Sequence, residues 1–186
     1  GAATNCSGNL RRAQAGGCLT TSELLAIADT LRIIRTVKEW HSRFASVETT
    51  LDIYFSGLVS NKYLEERITS AIISDDEISD KASPALSDIR RKIRTASSKA
   101  REVLDKIIHS SSYIKYLQEA IITQRDGRYV VPVRSACRNN VPGLVHDTSS
   151  SGATVFIEAM GVVQANNDIK ILIAKEEEEI ERILFE

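Results

Sequence analysis

Ten positions between Leu86 and Leu117 fall on a seven-residue repeat, and nine of them are apolar. Leu86, Ile93, Ala100, Ile107 and Ile114 make one series. Ile89, Ala96, Val103, Ser110 and Leu117 make the other, and Ser110 is its one polar member. Two interleaved apolar series at this spacing are the mark of a helix lying along a partner in a coiled-coil seam. Ser83 followed by Pro84 supplies the start, because serine caps a helix N-terminus and proline fits the first helical position. The pattern predicts a helix over 84–118. At about 1.5 Å per residue it would be about 50 Å long, about three times the usual helix, and it must lie against something.

The partner can be sought downstream. From Gly161 onward, Val162, Ile169, Ile173, Ile180 and Ile183 form a second helical stripe, widened by Ala165, Leu172 and Leu184 and interrupted by Asn166 and Glu176. Charge supports the pairing. Residues 87–118 carry eight basic and three acidic side chains, and residues 161–186 carry three basic and seven acidic ones. A basic and an acidic helix that pack together give this pattern, because flanking charges pair across a seam. Nucleic-acid binding by the basic helix is the rival explanation. The stripe still runs at Glu186 with no Gly, Pro or Asn stop signal, so a longer parent protein is expected.

Between the two stripes the apolar period changes from helical to two. Residues 128–134, 143–147 and 153–158 read as strands, with Ser149-Ser150-Ser151-Gly152 as the hairpin turn between the last two. Pro132 predicts an edge position or a bulge. Ahead of the long helix the pattern is helical again. Thr20 stands three residues before Glu23, a capping-box spacing. Leu24, Ile27, Ala28, Leu31, Ile34 and Val37 follow as one stripe in a helix expected to reach about Phe44. Residues 51–59 and 61–73 are its expected partners, with Asn61 as a cap. Trp40 and His41 read as packing residues near a helix end. Asp75, Asp76, Glu77 and Asp80 read as a solvated turn, since a calcium loop would need a central glycine. The fold class is therefore mainly α with a small antiparallel β element.

The overall balance of 24 Lys+Arg against 25 Asp+Glu excludes a disordered polyelectrolyte and a tail-type basic DNA binder. Any contact with nucleic acid must be local. No apolar run is long enough to span a membrane, and residues 1–8 do not read as a signal peptide. Cys6, Cys18 and Cys137 are odd in number and lack paired spacing, as reduced thiols of a cytoplasmic protein would. His146, Asp147 and Ser149 are too close along one strand and its turn to form a triad. Cys137 and His146 lack a second ligand pair for zinc. The Ser-Gly turn lacks the lysine of a phosphate loop. What remains is a cluster of cations. Arg125, Arg128, Arg134 and Arg138 lie within 14 residues, with Lys115 upstream. Even spacing puts Arg128 and Arg134 on one face of a strand; the planar guanidinium suits phosphate, and a solvated sheet face partly neutralised by Glu119 and Asp126 is the equal alternative.

Several stretches resemble a known family: Tyr116-Leu117-Gln118-Glu119; Arg125-Asp126-Gly127-Arg128-Tyr129-Val130-Val131-Pro132-Val133; Val141-Pro142-Gly143-Leu144-Val145-His146-Asp147; and Ser149-Ser150-Ser151-Gly152-Ala153-Thr154-Val155-Phe156-Ile157-Glu158. They closely resemble the second bacterial MutS family, the recombination-suppressing paralogue of the mismatch-repair MutS proteins. Gly16-Gly17, the run from Ala26 to Arg32, and Ala82-Ser83-Pro84 are similar too, so the resemblance covers about residues 9 to 186. Ala159, Ala120 and Asp76 replace residues usual in the family.

The resemblance implies a helical core segment over 1–82, an outgoing lever helix over 83–118, a β clamp over 119–160 and a returning lever helix over 161–186. It implies a helical bundle plus a long antiparallel coiled-coil lever carrying the clamp at its tip. It places ATP and Mg in an ATPase domain, and a nuclease domain further on, both outside this chain. The chain itself would then hold no cofactor and no catalytic site. The implied partners are a second subunit and nucleic acid: branched DNA in the suppression of recombination, or ribosomal RNA on collided ribosomes. The expected contacts are Arg125, Arg128, Arg134 and Arg138, with Thr148, Ser149, Ser150 and Ser151 offering hydroxyl or backbone donors. The basic lever face of Arg90, Arg91, Lys92 and Arg94 is a secondary candidate. A coiled-coil scaffold that grips nothing is the alternative.

Overall fold

The computed structural model describes residues 3–43 and 49–186. They divide into two compact units, one of residues 1–87 with 178–186 and one of residues 88–177. Helices dominate and two small antiparallel sheets accompany them.

In the first unit α1 (Ser7–Gln14) and α2 (Thr21–Ser42) come first. The Thr20–Glu23 capping box is present in full. Phe44, the expected end of this helix, lies outside the described residues. α3 (Asp52–Ser56) and α4 (Lys62–Ala71) follow, and the Asn61 side chain caps α4 by accepting the Leu64 N–H at 3.0 Å. Both helices are shorter than their expected ranges. The chain after α4 instead forms a hairpin, β1 (Ile72–Ser74) and β2 (Glu77–Ile78), with Asp75 and Asp76 at its turn. Ile72 and Ile78 face each other across this hairpin and join Ile27, Ala28, Ile68 and Leu86 in the core. Arg35 of α2 holds the buried Glu65 of α4 through both carboxylate oxygens, at 2.9 and 2.8 Å. His41 stacks on Phe55 at 4.1 Å and meets Asp52 at 2.6 Å, which ties α2 to α3.

The long helix α5 (Pro84–Ile108) begins where expected. The Ser83 hydroxyl accepts the Leu86 N–H at 2.9 Å and donates to Glu179 at 2.7 Å. Hydrogen bonds from Arg182 and then Ser83 hold the Glu179 carboxyl down to about 2.

The helix stops ten residues short of Gln118. Ser110, Ser111 and Ser112 end it, since serine hydroxyls compete for backbone partners, and the Ser110 hydroxyl accepts the Ser112 N–H at 3.3 Å. The last members of the seven-residue repeat therefore leave the helix. Ile114 is 49% exposed, and Leu117 is buried beside Val133 of the sheet. Within α5, Leu104 and Ile108 are buried although neither belongs to the repeat. The contact stripe there follows 3.6 rather than 3.5 residues per turn, as in a straight helix lying on a sheet.

The second unit is built on that sheet. β3 (Thr123–Arg125), β4 (Arg128–Arg134), β5 (Gly143–Thr148) and β6 (Thr154–Ala159) are antiparallel in the order β3-β4-β6-β5. Asp126 and Gly127 both have positive φ, 50° and 73°, the conformation of a two-residue hairpin turn. The three strands read from sequence are all present. β3 is an addition, too short to show a period.

Pro132 is a correction, because β4 is an interior strand without a bulge at that point. The reason is local. β3 pairs only as far as Val130, and on that side the Pro132 carbonyl accepts Gln118 N–H at 2.9 Å. The missing N–H therefore faces a side that the short partner strand has already left. Val131, Val133, Val155 and Ile157 pack against Ala100, Leu104 and Ile108 of α5. They also pack against Val162, Ala165 and Ile169, which lie in or just before α6 (Val163–Phe185). Among the described residues no helix is long and apolar enough to cross a membrane.

Candidate nucleic-acid interface

Alternation along β4 separates two faces. Tyr129, Val131 and Val133 point to the helices, and Arg128, Val130, Pro132 and Arg134 take the opposite face. Register places Phe156 opposite Pro132 and Thr154 opposite Arg134. The four candidate arginines then divide into two pairs with different surroundings.

Arg128 and Arg125 are engaged within the sheet. Arg128 donates to Glu158 through Nε at 2.9 Å and Nη2 at 2.6 Å, and to Asn167 at 2.8 Å, with its side chain only 15% exposed. Arg125 lies 3.8 Å above the Phe156 ring, a cation–π distance, and 3.1 Å from Asp147. It also donates to the Gln124 carbonyl at 2.9 Å.

Arg134 and Arg138 differ. Both are exposed, and neither makes an ion pair with any described residue. Arg138 sits in a 3-10 segment, Ser135–Asn140. Ser135 ties that segment to the β5–β6 turn. Its N–H donates to the Ala153 carbonyl at 3.0 Å, and its hydroxyl donates to the Gly152 carbonyl. Thus Arg134, Arg138 and the hydroxyl-bearing turn share one end of the sheet. Lys115 approaches the same end, because Leu117 bridges to Val133, and its ammonium lies 5.0 Å from the Tyr116 ring.

Two of the four turn hydroxyls, those of Ser149 and Ser151, are used locally. Ser149 Oγ accepts the Thr154 N–H at 3.1 Å, and Ser151 Oγ accepts that of Ala153 at 3.4 Å. The Thr148 N–H is bound by Asp147 at 2.8 Å. Ser150 is exposed and makes no side-chain hydrogen bond to a described residue. Gly152 takes φ of +72° to close the turn.

Around Arg128 lies a polar cluster that sequence reasoning did not assemble. Glu158 is fully buried in β6, yet its carboxylate accepts from Arg128, from Asn166 at 2.8 Å and from His146. Burial alone would raise this carboxyl. Hydrogen bonds from Arg128, Asn166 and His146 outweigh it and hold the group below the usual carboxylate range. Asn166 of α6 also accepts the Tyr129 N–H at 3.0 Å and donates to the Tyr129 carbonyl at 3.1 Å. An amide side chain thereby occupies the ladder position that β6 has left. The signal was the polar break that Asn166 makes in the apolar stripe of the returning helix. The other break, Glu176, meets Arg90 of α5 at 2.6 Å. Arg91 and Lys92 pair with Asp88 on their own helix, and Arg94 is engaged as well.

His146 turns to Glu158, Asp147 to Arg125, and Ser149 into its own turn, so these three do not form a catalytic arrangement. Among the described residues, no group of three His, Cys, Asp or Glu side chains is placed to hold a metal.

No family model matches the chain. It is similar to proteins named Endonuclease MutS2. That of Acetivibrio thermocellus is 48% identical over 182 residues, 96% of this chain and 23% of that protein. That of Pelotomaculum thermopropionicum is 49% identical over 177 residues, 95% and 22%. That of Alkaliphilus metalliredigens is 49% identical over 181 residues, 95% and 23%. The chain is a segment of the MutS2 family. It spans about a quarter of the length of the curated relatives it matches. The MutS2 relatives carry the word endonuclease in their names, and this segment aligns with less than a quarter of each of the three.

Proposed function

We propose that residues 88–177 are the gripping end of a MutS2-type clamp and that the sheet contacts nucleic-acid phosphates. The observation that carries this reading is the pair Arg134 and Arg138. They are exposed, unpaired among the described residues, and set beside the turn that bears Thr148, Ser149, Ser150 and Ser151. Arg125 and Arg128, engaged internally, support the surface rather than touch the ligand. Backbone contact fits better than stacking on unpaired bases. Single-strand binders use open aromatic faces, whereas here cations already cover Phe156, Tyr116 and Tyr129. Phosphate contacts position a protein without reading sequence.

The wider proposal keeps the division into a core segment over 1–82, lever segments over 83–118 and 161–186 whose helices are α5 and α6, and a clamp over 119–160. Arg90 meeting Glu176 supports an antiparallel lever pair. In this proposal the segment has no catalysis or cofactor of its own. ATP, Mg and the endonuclease belong to other parts of a cytoplasmic, dimeric parent. Branched DNA in recombination and ribosomal RNA on collided ribosomes are both ligands of the required chemistry.

Fluorescence anisotropy with duplex DNA, a four-way junction and ribosomal RNA, titrated with salt, tests the reading. Replacing Arg134 and Arg138 by alanine should weaken binding at low salt and flatten the duplex log K–log salt slope by about 1.8, at about 0.9 per phosphate. Unchanged affinity in the folded double variant would reject the contact assignment. It would leave the coiled-coil scaffold as the better account.

A further inference from the structure

The contacts that α5 and α6 make with the sheet differ in kind. α5 offers Ala100, Leu104 and Ile108, apolar surfaces that resist separation but have no directional preference, and an Arg101–Tyr129 cation–π contact at 5.4 Å. α6 offers apolar contacts as well, and adds directed bonds. Asn166 grips both polar backbone groups of Tyr129 and one oxygen of Glu158, and Asn167 accepts from Arg128. Arg128 lies on β4, Glu158 on β6 and His146 on β5, so a single carboxylate joins three strands and the helix. Only a three-residue 3-10 turn, Met160–Val162, separates β6 from α6. At the other helix, 14 residues separate the end of α5 from the start of β3.

We infer that Glu158 and Asn166 are positioning residues that lock α6 to the sheet, so that the sheet takes its orientation from α6 rather than from α5. Hydrogen bonds to a buried, ionised acceptor are stronger and more directional than neutral ones. Rotation of α6 relative to β4 would break several of them together. Apolar contacts of the α5 kind tolerate sliding, because burial is non-directional. The functional consequence rests on the proposed gripping role of the sheet: motion of α6 would carry Arg134 and Arg138 with it.

The test is made on this chain in solution by NMR. Residual dipolar couplings from α6 residues 163–177 and from the strands should fit one alignment tensor in the native chain. In Asn166→Ala they should require two, while the strands still fit one another. The Tyr129 amide should exchange about tenfold faster, as expected for loss of one hydrogen bond to a buried group. The Val131 and Val133 amides should hold their rates. Asn166→Leu keeps the volume, removes the same bonds to Tyr129 and Glu158, and should give the same separation of tensors if Asn166→Ala proves too unstable to study.

A single tensor in both variants would overturn the inference. So would equal acceleration at Tyr129, Val131 and Val133, since that marks general loosening of the sheet. Neither outcome depends on nucleic acid. Failure of the Arg134 and Arg138 variants to lose DNA binding would therefore sink the gripping role and leave the lock standing.

Discussion

Glu158 and Asn166 are adjacent in space and eight positions apart in sequence, and each answers the other's problem. A buried carboxylate is costly unless its lone pairs are filled, and a buried amide needs partners for both ends. Together with Arg128, His146 and Tyr129 they satisfy one another, and among the described residues no buried side-chain polar atom lacks a partner. The charge has a consequence for pH. The folded carboxyl lies below its ordinary range, so the stability it contributes is complete above the unfolded value of about 4.3. It is lost as pH falls through the lower folded value. Denaturant melts of the native chain should therefore lose midpoint steadily below about pH 4.3. Glu158→Gln should be less stable at neutral pH and lose less on acidification. Equal acid sensitivity in the two would show that other carboxylates carry the effect. The arginines were visible in the sequence as a cluster. Their division into engaged and free pairs was not, because it depends on acidic partners 22 and 30 residues away.

At the scale of elements, local chemistry was legible wherever it acted over a few residues. Thr20 with Glu23, Asn61, and Ser83 with Pro84 each mark a helix start, and each side chain caps as its type and position require. The end of α5 was not legible from apolar spacing. Ile114 and Leu117 keep the seven-residue rhythm by coincidence, the first half-exposed and the second buried beside Val133, and three serines break the helix before them. Leu104 shows the same limit from the other side, being fully buried although outside the repeat. Leu104→Ala should cost about 2–5 kcal/mol, the usual range for a large-to-small change in a core, measured by urea denaturation. A loss under about 1 kcal/mol, as seen for surface substitutions, would mean that the helix does not pack on the sheet in this way.

At the scale of the whole molecule, the described residues hold two apolar clusters, one centred on Ile27, Ile68 and Leu86 and the other on Leu104, Val131 and Ile157. Stability should therefore be divisible. Ile27→Ala should speed hydrogen exchange in α2 and α4 and leave β4 and β6 unchanged, and Leu104→Ala should do the reverse. Mass-spectrometric exchange would decide this, and acceleration in both clusters from either change would show one cooperative unit. Local sequence set the starts of α2, α4 and α5, the three longer strands, the serine-rich turn and the mainly α class. Each of these follows from propensity, period and capping within a short window. Tertiary structure decided the ends of α3 and α4 and the interior place of Pro132. It also decided which arginines are free and how α6 joins the sheet. Those outcomes depend on burial and on partners distant along the chain, and neither local spacing nor composition carries that information.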